Sequence, residues 1–342
     1  MLQRPKRLKK GDTIGIITPS FAGNVVLRDK FETGVEFLRS QGFDVLLGDL
    51  TAKFKNDGYR SGTPEERAQE FNAVYKNPGV SCIIFSIGGS NSGSLLEYID
   101  YRFIRNNPKI VCGYSDATAI HCALQKVARL CTFYGPAVIP SFGEFPAPHE
   151  ITLDCWESQM GLKDTFASYA FPRPEAYSDH FIDAADSKWK TVKREFKQNE
   201  GWQNIRDGNA KAPIFAYNLN TLVSLAGTKY FPDLKNSILC LEQMDTDMAK
   251  EERQLHQLKL MGVFKHVKAL IVSKAERFSN LNASFDHNEL LLEIFHKENF
   301  PIITNFDCGH THPMLTIAQG VECEISASAD NVSVLQHGMG VV

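Results

Sequence analysis

No stretch of this sequence stays apolar long enough to cross a bilayer as a helix, so a membrane-spanning protein of that kind is excluded on length. The basic residues near the start, Arg4, Lys6, Arg7, Lys9 and Lys10, run into Gly11-Asp12 and not into an apolar core, so an export signal is not indicated. A surplus of positive charge is also missing. The formal net charge of -3 gives no reason to expect nucleic acid as a partner. The eight cysteines include no Cys-x-x-Cys pair, and several lie inside apolar runs, where a free thiol behaves as a small hydrophobe. A reduced, cytoplasmic chain without structural zinc is the simplest account. His-Glu-x-x-His is absent, which leaves Asp307, His310 and His312, with Cys308 beside them, as an unsupported metal set. Gly-x-Gly-x-x-Gly and Gly-Lys-Ser/Thr are absent too, so neither a dinucleotide fingerprint nor a P-loop is present.

What is there is an ordinary globular composition, 43% hydrophobic and 23% charged over 342 residues, enough for two domains. Apolar, β-branched runs alternate with helical patterns through the first half. Strands are expected at Thr13–Thr18, Phe43–Leu47, Cys82–Ser86, Lys109–Gly113 and Thr132–Tyr134. The helix starting at Pro64 carries its own start signal: Thr63 as N-cap, proline in the first turn and Glu66 closing a capping box. This alternation predicts an α/β fold with a Rossmann-like parallel sheet over residues 1–165. From 166 to 208 the pattern dissolves into a polar stretch holding Trp189 and Trp202, read as a connector and mobile substrate loop. Residues 209–342 read as a smaller, β-rich α/β domain, with a strand Ser237–Leu241 ending on Glu242 and a loop Asp307–Pro313 around His310.

Sites in parallel sheets form at the carboxyl ends of strands. Two loops fall there. In Cys112-Gly-Tyr-Ser-Asp-Ala117 a strand stops at Gly113 and a helix starts just after Ser115, a Gly-x-Ser-x-Ala version of the nucleophile elbow. A βα turn whose Ser or Asp merely caps a helix is the competing reading. The second loop is Gly88-Gly89-Ser90, where missing side chains let backbone approach a substrate; phosphate cradling at a helix start is its alternative. A serine nucleophile needs a base, a carboxylate to orient the base, and N–H donors for the oxyanion. His310 is the candidate base and Glu242 the candidate carboxylate; a backbone-satisfied loop histidine and a surface salt bridge are the respective alternatives. The oxyanion donors would be the backbone N–H of Asp116 and one from Gly89 or Ser90, with the Asp116 carboxylate mainly structural.

Taken together, Ile87–Asp100, Asn107–Asp116, Tyr217–Leu222, Leu241-Glu242 and Cys308–Thr311 resemble the LD-carboxypeptidase family of serine peptidases, and the likeness spans nearly the whole chain. That family includes muropeptide LD-carboxypeptidases and microcin C immunity peptidases. The resemblance implies a Ser–Glu–His triad at Ser115, Glu242 and His310, a site between two domains, no cofactor and a homodimer. Asn218-Leu-Asn-Thr-Leu222 and the long loop with Trp189 are similar to the microcin-immunity branch, in which a loop aromatic stacks on the nucleotide part of the substrate. Gly88, Asn91, Trp189 and Asn218 are the expected substrate-binding positions. The expected activity is hydrolysis of an amide bond in a peptidyl or aminoacyl nucleotide of the microcin C type. A muropeptide carboxypeptidase is the alternative within the family, and a non-catalytic ligand-binding module is the alternative outside it.

Overall fold

The computed structural model describes residues 2–183, 185–329 and 331–342. Five parallel strands form the first sheet: β1 (Thr13–Ile17), β2 (Asp44–Leu47), β3 (Val80–Phe85), β4 (Ile110–Gly113) and β5 (Phe133–Tyr134). Their order is β5-β4-β3-β1-β2, so β1 and β3 are neighbours and the chain crosses over the sheet between strands. Every residue of β4 is buried, as a parallel strand covered by helices on both faces requires. The helix Pro64–Lys76 has the expected capping box, with Thr63 Oγ1 accepting from Glu66 N–H and Glu66 accepting from Thr63 N–H. From the same helix the buried Glu70 accepts the backbone N–H groups of Thr18 at 3.1 Å and Thr51 at 2.7 Å, fixing the loop after β1.

The second sheet has eight strands. Its centre is parallel: Gly208–Asn218, Ile238–Glu242, Ala269–Ser273 and Ile302–Phe306. Antiparallel strands Glu322–Ser328 and Asn331–His337 extend one side. The 166–208 segment, expected to be irregular, supplies a strand at each edge. Ser168–Ala170 pairs with Asn331–His337, and Gln203–Arg206 pairs with Ile302–Phe306. It also forms a small hairpin, Ala176–Tyr177 with Lys197–Gln198. Trp202 is a core anchor within this segment. It packs on Phe306 and donates its indole N–H to Asp307 at 2.8 Å.

The two sheets share structure. Ile317–Ala318, following the His310 loop, pairs antiparallel with β5 and becomes the sixth strand of the first sheet. One apolar core runs from Ile83 and Val111 through Ile120 and Leu124 to Tyr217, Leu222 and Leu239, crossing from one sheet to the other. The carboxyl ends of both sets of parallel strands therefore face a common site. Among the described residues no helix is long and apolar enough to cross a membrane.

Candidate active site

Ser115 follows β4 by two residues and has φ 62°, a left-handed conformation that costs a non-glycine residue about 1–2 kcal/mol. The short 3-10 turn Ser115–Ala117 and the helix Thr118–Ala123 start at once. The strain is held by its surroundings. The Ser115 N–H donates to the Tyr134 hydroxyl at 2.9 Å. Asp116 is the second fixed point: its carboxylate accepts from Ser20 Oγ at 2.6 Å and from the backbone N–H groups of Asn91 at 2.9 Å and Ser92 at 2.8 Å. Three donors on one carboxylate oxygen fasten the elbow to the Gly88-Gly89 loop, so the side chain of Asp116 is structural, as expected. Gly88 lies against the elbow so closely that a Cβ there would sit 3.0 Å from Ser115 Oγ and 3.3 Å from the Asp116 nitrogen. Gly89 has φ 149°, and its missing side chain leaves room for Ser20.

Glu242 ends the strand Ile238–Glu242 and is buried, as is His310. His310 Nδ1 meets Glu242 Oε2 at 2.7 Å. The other carboxylate oxygen accepts from the Tyr134 hydroxyl at 2.5 Å and from Asn218 Nδ2 at 3.1 Å. Burial by itself would lower the His310 pKa, but the charge and hydrogen bond of Glu242 outweigh it and hold the pKa above the ordinary histidine value. For Glu242 burial acts upward, and His310, Tyr134 and Asn218 together overcome it, so the carboxyl titrates below its ordinary range. The ring of Tyr114 stands edge-on to His310 with centroids 4.8 Å apart. Gly309 has φ 135°, and a Cβ on it would lie 2.7 Å from Glu242 Oε2.

Ser115, Gly88, Gly89, Tyr114 and His310 line a cavity of about 440 Å³. Phe21, Leu27, Ile87, Ile139 and Phe181 make much of its wall apolar. A charged tier completes it. Lys30 and Arg194 both reach Glu144 Oε2, at 3.3 and 3.1 Å, and Arg194 also stands 3.8 Å from Glu276. Arg194 Nε is buried without a hydrogen-bond partner. Burial raises the Glu276 pKa. His312, in the same wall, is held well below the ordinary histidine range by burial and by the Arg194 and Lys30 charges. Ser115 also lines a second, polar cavity of about 310 Å³, with Asn218, Asn220, Lys250 and Gln254 among others.

The residues expected from sequence divide clearly. Ser115, Asp116, Gly88, Gly89, Glu242, His310 and Asn218 come together at the strand ends, while Ser90 is exposed beside them. Asn218 turns its amide to Glu242 and caps the helix Leu219–Ser224 through Thr221. Asn91, expected to bind substrate, does not face the cavity: its side-chain oxygen accepts from Arg67 at 2.6 Å, its side-chain NH2 reaches Tyr59 O, and its N–H goes to Asp116. Its polar groups are consumed in holding the loop. Trp189 is buried, with its ring 5.6 Å from Lys30 Nζ. Asp307 accepts from Lys274 and Trp202, and among the described residues no cluster of His, Cys, Asp and Glu is arranged to hold a metal ion. Sequence reasoning missed Tyr134, Lys30, Arg194 and Glu276. Tyr134 alone carried a usable signal, since it ends the strand beside the one that leads into Ser115.

A strained serine at a strand end, an imidazole held by a buried carboxylate, and glycine backbone against the hydroxyl are the parts of a serine hydrolase. The chain belongs to the LD-carboxypeptidase family. Residues 14–135 match the model of the LD-carboxypeptidase N-terminal domain and residues 211–325 that of the C-terminal domain. It is 39% identical to the microcin C7 self-immunity protein MccF of Escherichia coli over 331 residues, covering 96% of this chain and 95% of that protein. The solved structure of MccF in complex with aspartyl sulfamoyl adenosine superposes with a TM-score of 0.93 at 37% identity, over 99% of this chain and 100% of the other. MccF in complex with glutamyl sulfamoyl guanosine gives 0.91 at 36% identity, over 99% of both chains.

Proposed function

We propose that this protein hydrolyses the amide bond between an amino acid or peptide and a nucleotide of the microcin C type, with Ser115 as nucleophile, His310 as base and Glu242 as the orienting carboxylate. The observation that carries the reading is the Glu242–His310 pair at the wall of the cavity that Ser115 also lines. His310 takes the Ser115 Oγ proton as the oxygen attacks the carbonyl carbon. The oxyanion accepts from the Asp116 N–H and from Gly89 or Ser90. His310 then returns the proton to the departing nitrogen, leaving an acyl-enzyme. Water enters, gives its proton to His310 and attacks the ester, and the amino acid leaves with Ser115 restored.

The cavity supports a nucleotide as the leaving half. Its apolar walls suit a base, and Lys30 and Arg194 supply cations for a sulfamoyl or phosphoryl linkage. Trp189 is the aromatic proposed to stack on the base, its ring turning from Lys30 to the ligand. Eight free cysteines, all buried, support a reducing cytoplasmic setting. The family resemblance adds a homodimer, which sedimentation would read directly. The deciding experiment incubates the enzyme with aspartyl sulfamoyl adenosine and, separately, with a tetrapeptide muropeptide, and identifies products by mass spectrometry. Aspartate release with the muropeptide intact is expected. Cleavage of the muropeptide alone would replace the reading by cell-wall recycling, and cleavage of neither by the binding module. A parallel assay on Lys30→Met and Arg194→Met is expected to raise KM for the sulfamoyl substrate about 10-fold or more, as loss of a charge-assisted contact would.

A further inference from the structure

Tyr134 is fully buried at the end of β5, and its hydroxyl touches both halves of the reaction machinery. It accepts from the Ser115 N–H at 2.9 Å and donates to Glu242 Oε1 at 2.5 Å. The direction is fixed by chemistry. A backbone N–H only donates, an ionised carboxylate only accepts, and a phenol has one proton to give. We infer that Tyr134 is a positioning residue for the hydrolysis, its single hydroxyl locking the nucleophile elbow of one domain to the base-orienting carboxylate of the other. The inference rests on the roles proposed for Ser115, Glu242 and His310.

Three consequences of the geometry support it. With Tyr134 and Asn218 on Oε1, only Oε2 faces His310 Nδ1, so the carboxylate has one rotational setting. The Ser115 N–H is already used, so the elbow keeps its left-handed backbone with that donor satisfied, and the oxyanion is left to the Asp116 N–H and the glycine loop. Finally, the proton of Tyr134 withdraws charge from Glu242, which moderates how strongly Glu242 stabilises a protonated His310. Burial, with the Glu242 charge adding to it, raises the phenol well above its ordinary pKa, so it stays a donor at working pH. The other titratable or charged groups around His310 are Glu276, His312, Tyr114 and, beyond Glu276, Arg194; Cys308 adjoins Glu242.

The test compares Tyr134→Phe and replacement of Tyr134 by 3-fluorotyrosine, whose phenol is more acidic and a stronger donor, with Ser115→Ala in parallel. For Tyr134→Phe, kcat is expected to fall about 10- to 100-fold with KM within about twofold. The acid limb of kcat/KM is expected to move to higher pH, because Glu242 then holds the imidazolium more tightly. For 3-fluorotyrosine the limb is expected to move the opposite way, to lower pH. A residue that only filled space would shift neither limb. If Tyr134→Phe does not fold, as judged by circular dichroism, the fluorotyrosine protein decides alone. An unmoved limb in it, or a Tyr134→Phe enzyme with wild-type kcat and pH profile, overturns the inference. A Ser115→Ala protein that still turns over would instead overturn the triad beneath it.

Discussion

Ser115, the proposed nucleophile, also carries a backbone penalty, and two substitutions separate the chemistry from the strain. Ser115→Ala and Ser115→Gly each remove the hydroxyl, so each is expected to lower kcat about a million-fold, the loss typical when a serine nucleophile is deleted. Their stabilities are expected to differ. Alanine keeps a Cβ in the left-handed conformation at φ 62°, whereas glycine has none to clash. The difference is about 1–2 kcal/mol in favour of glycine. Unfolding entropy of about 2.1 cal/mol/K per residue, over 342 residues, is about 0.7 kcal/mol/K. The glycine protein is therefore expected to melt about 1.5–3 °C above the alanine protein. Matched thermal scans or denaturant titrations read the difference, and product release from aspartyl sulfamoyl adenosine reads the chemistry. A glycine variant no more stable than the alanine variant would show that the elbow is not strained. Substantial turnover by either would remove Ser115 from the mechanism.

The pH profile gives a second prediction. As the proposed base His310 must be neutral, and its pKa is raised, so kcat/KM is expected to fall with acidification through a limb above the ordinary histidine value of about 6.5. In Glu242→Gln burial is opposed only by the smaller effect of the Glu276 charge. The limb is then expected below that value, and kcat down about 10,000-fold by analogy with other orienting carboxylates. A limb that stays in place would separate His310 from Glu242. Gly309→Ala is expected to lose at least about 100-fold in kcat, since the new Cβ would lie 2.7 Å from the oxygen that His310 needs. The φ of 135° adds a stability loss of about 1–3 kcal/mol, measurable by denaturant titration, and an active, stable variant would refute the close packing.

Much of this was legible in the chain because it is written locally. The capping box at Thr63–Glu66 uses residues three apart, and the elbow needs only Gly113, Ser115 and the strand before them. Glu242 stood out because an acid terminates an apolar strand. The partners of these groups were less visible, because they meet only when the sheets do. Tyr134 and Glu242 are 108 residues apart and belong to different sheets. Asn91 looked available in a glycine-rich loop, yet Arg67, a fully buried cation from another helix, claims its side chain. The strands hidden in 166–208 are two to four residues long and join edges by backbone bonds, which need no distinctive side chains. Arg194 reads as one basic residue in a polar run until Glu144 and Glu276 converge on it.

The short strand Ile317–Ala318 has a consequence for how the enzyme comes to life. It closes the edge of the first sheet, yet it lies beyond His310 in the chain. A ribosome releases the serine first, on a sheet that lacks its last strand and near no base. Serine alone is a weak nucleophile at neutral pH. The strand that pairs with β5 directly follows the His310 loop, so the closed edge of the sheet also tethers that loop beside it. The residue proposed as base is thus tethered to the strand that completes the sheet of the proposed nucleophile.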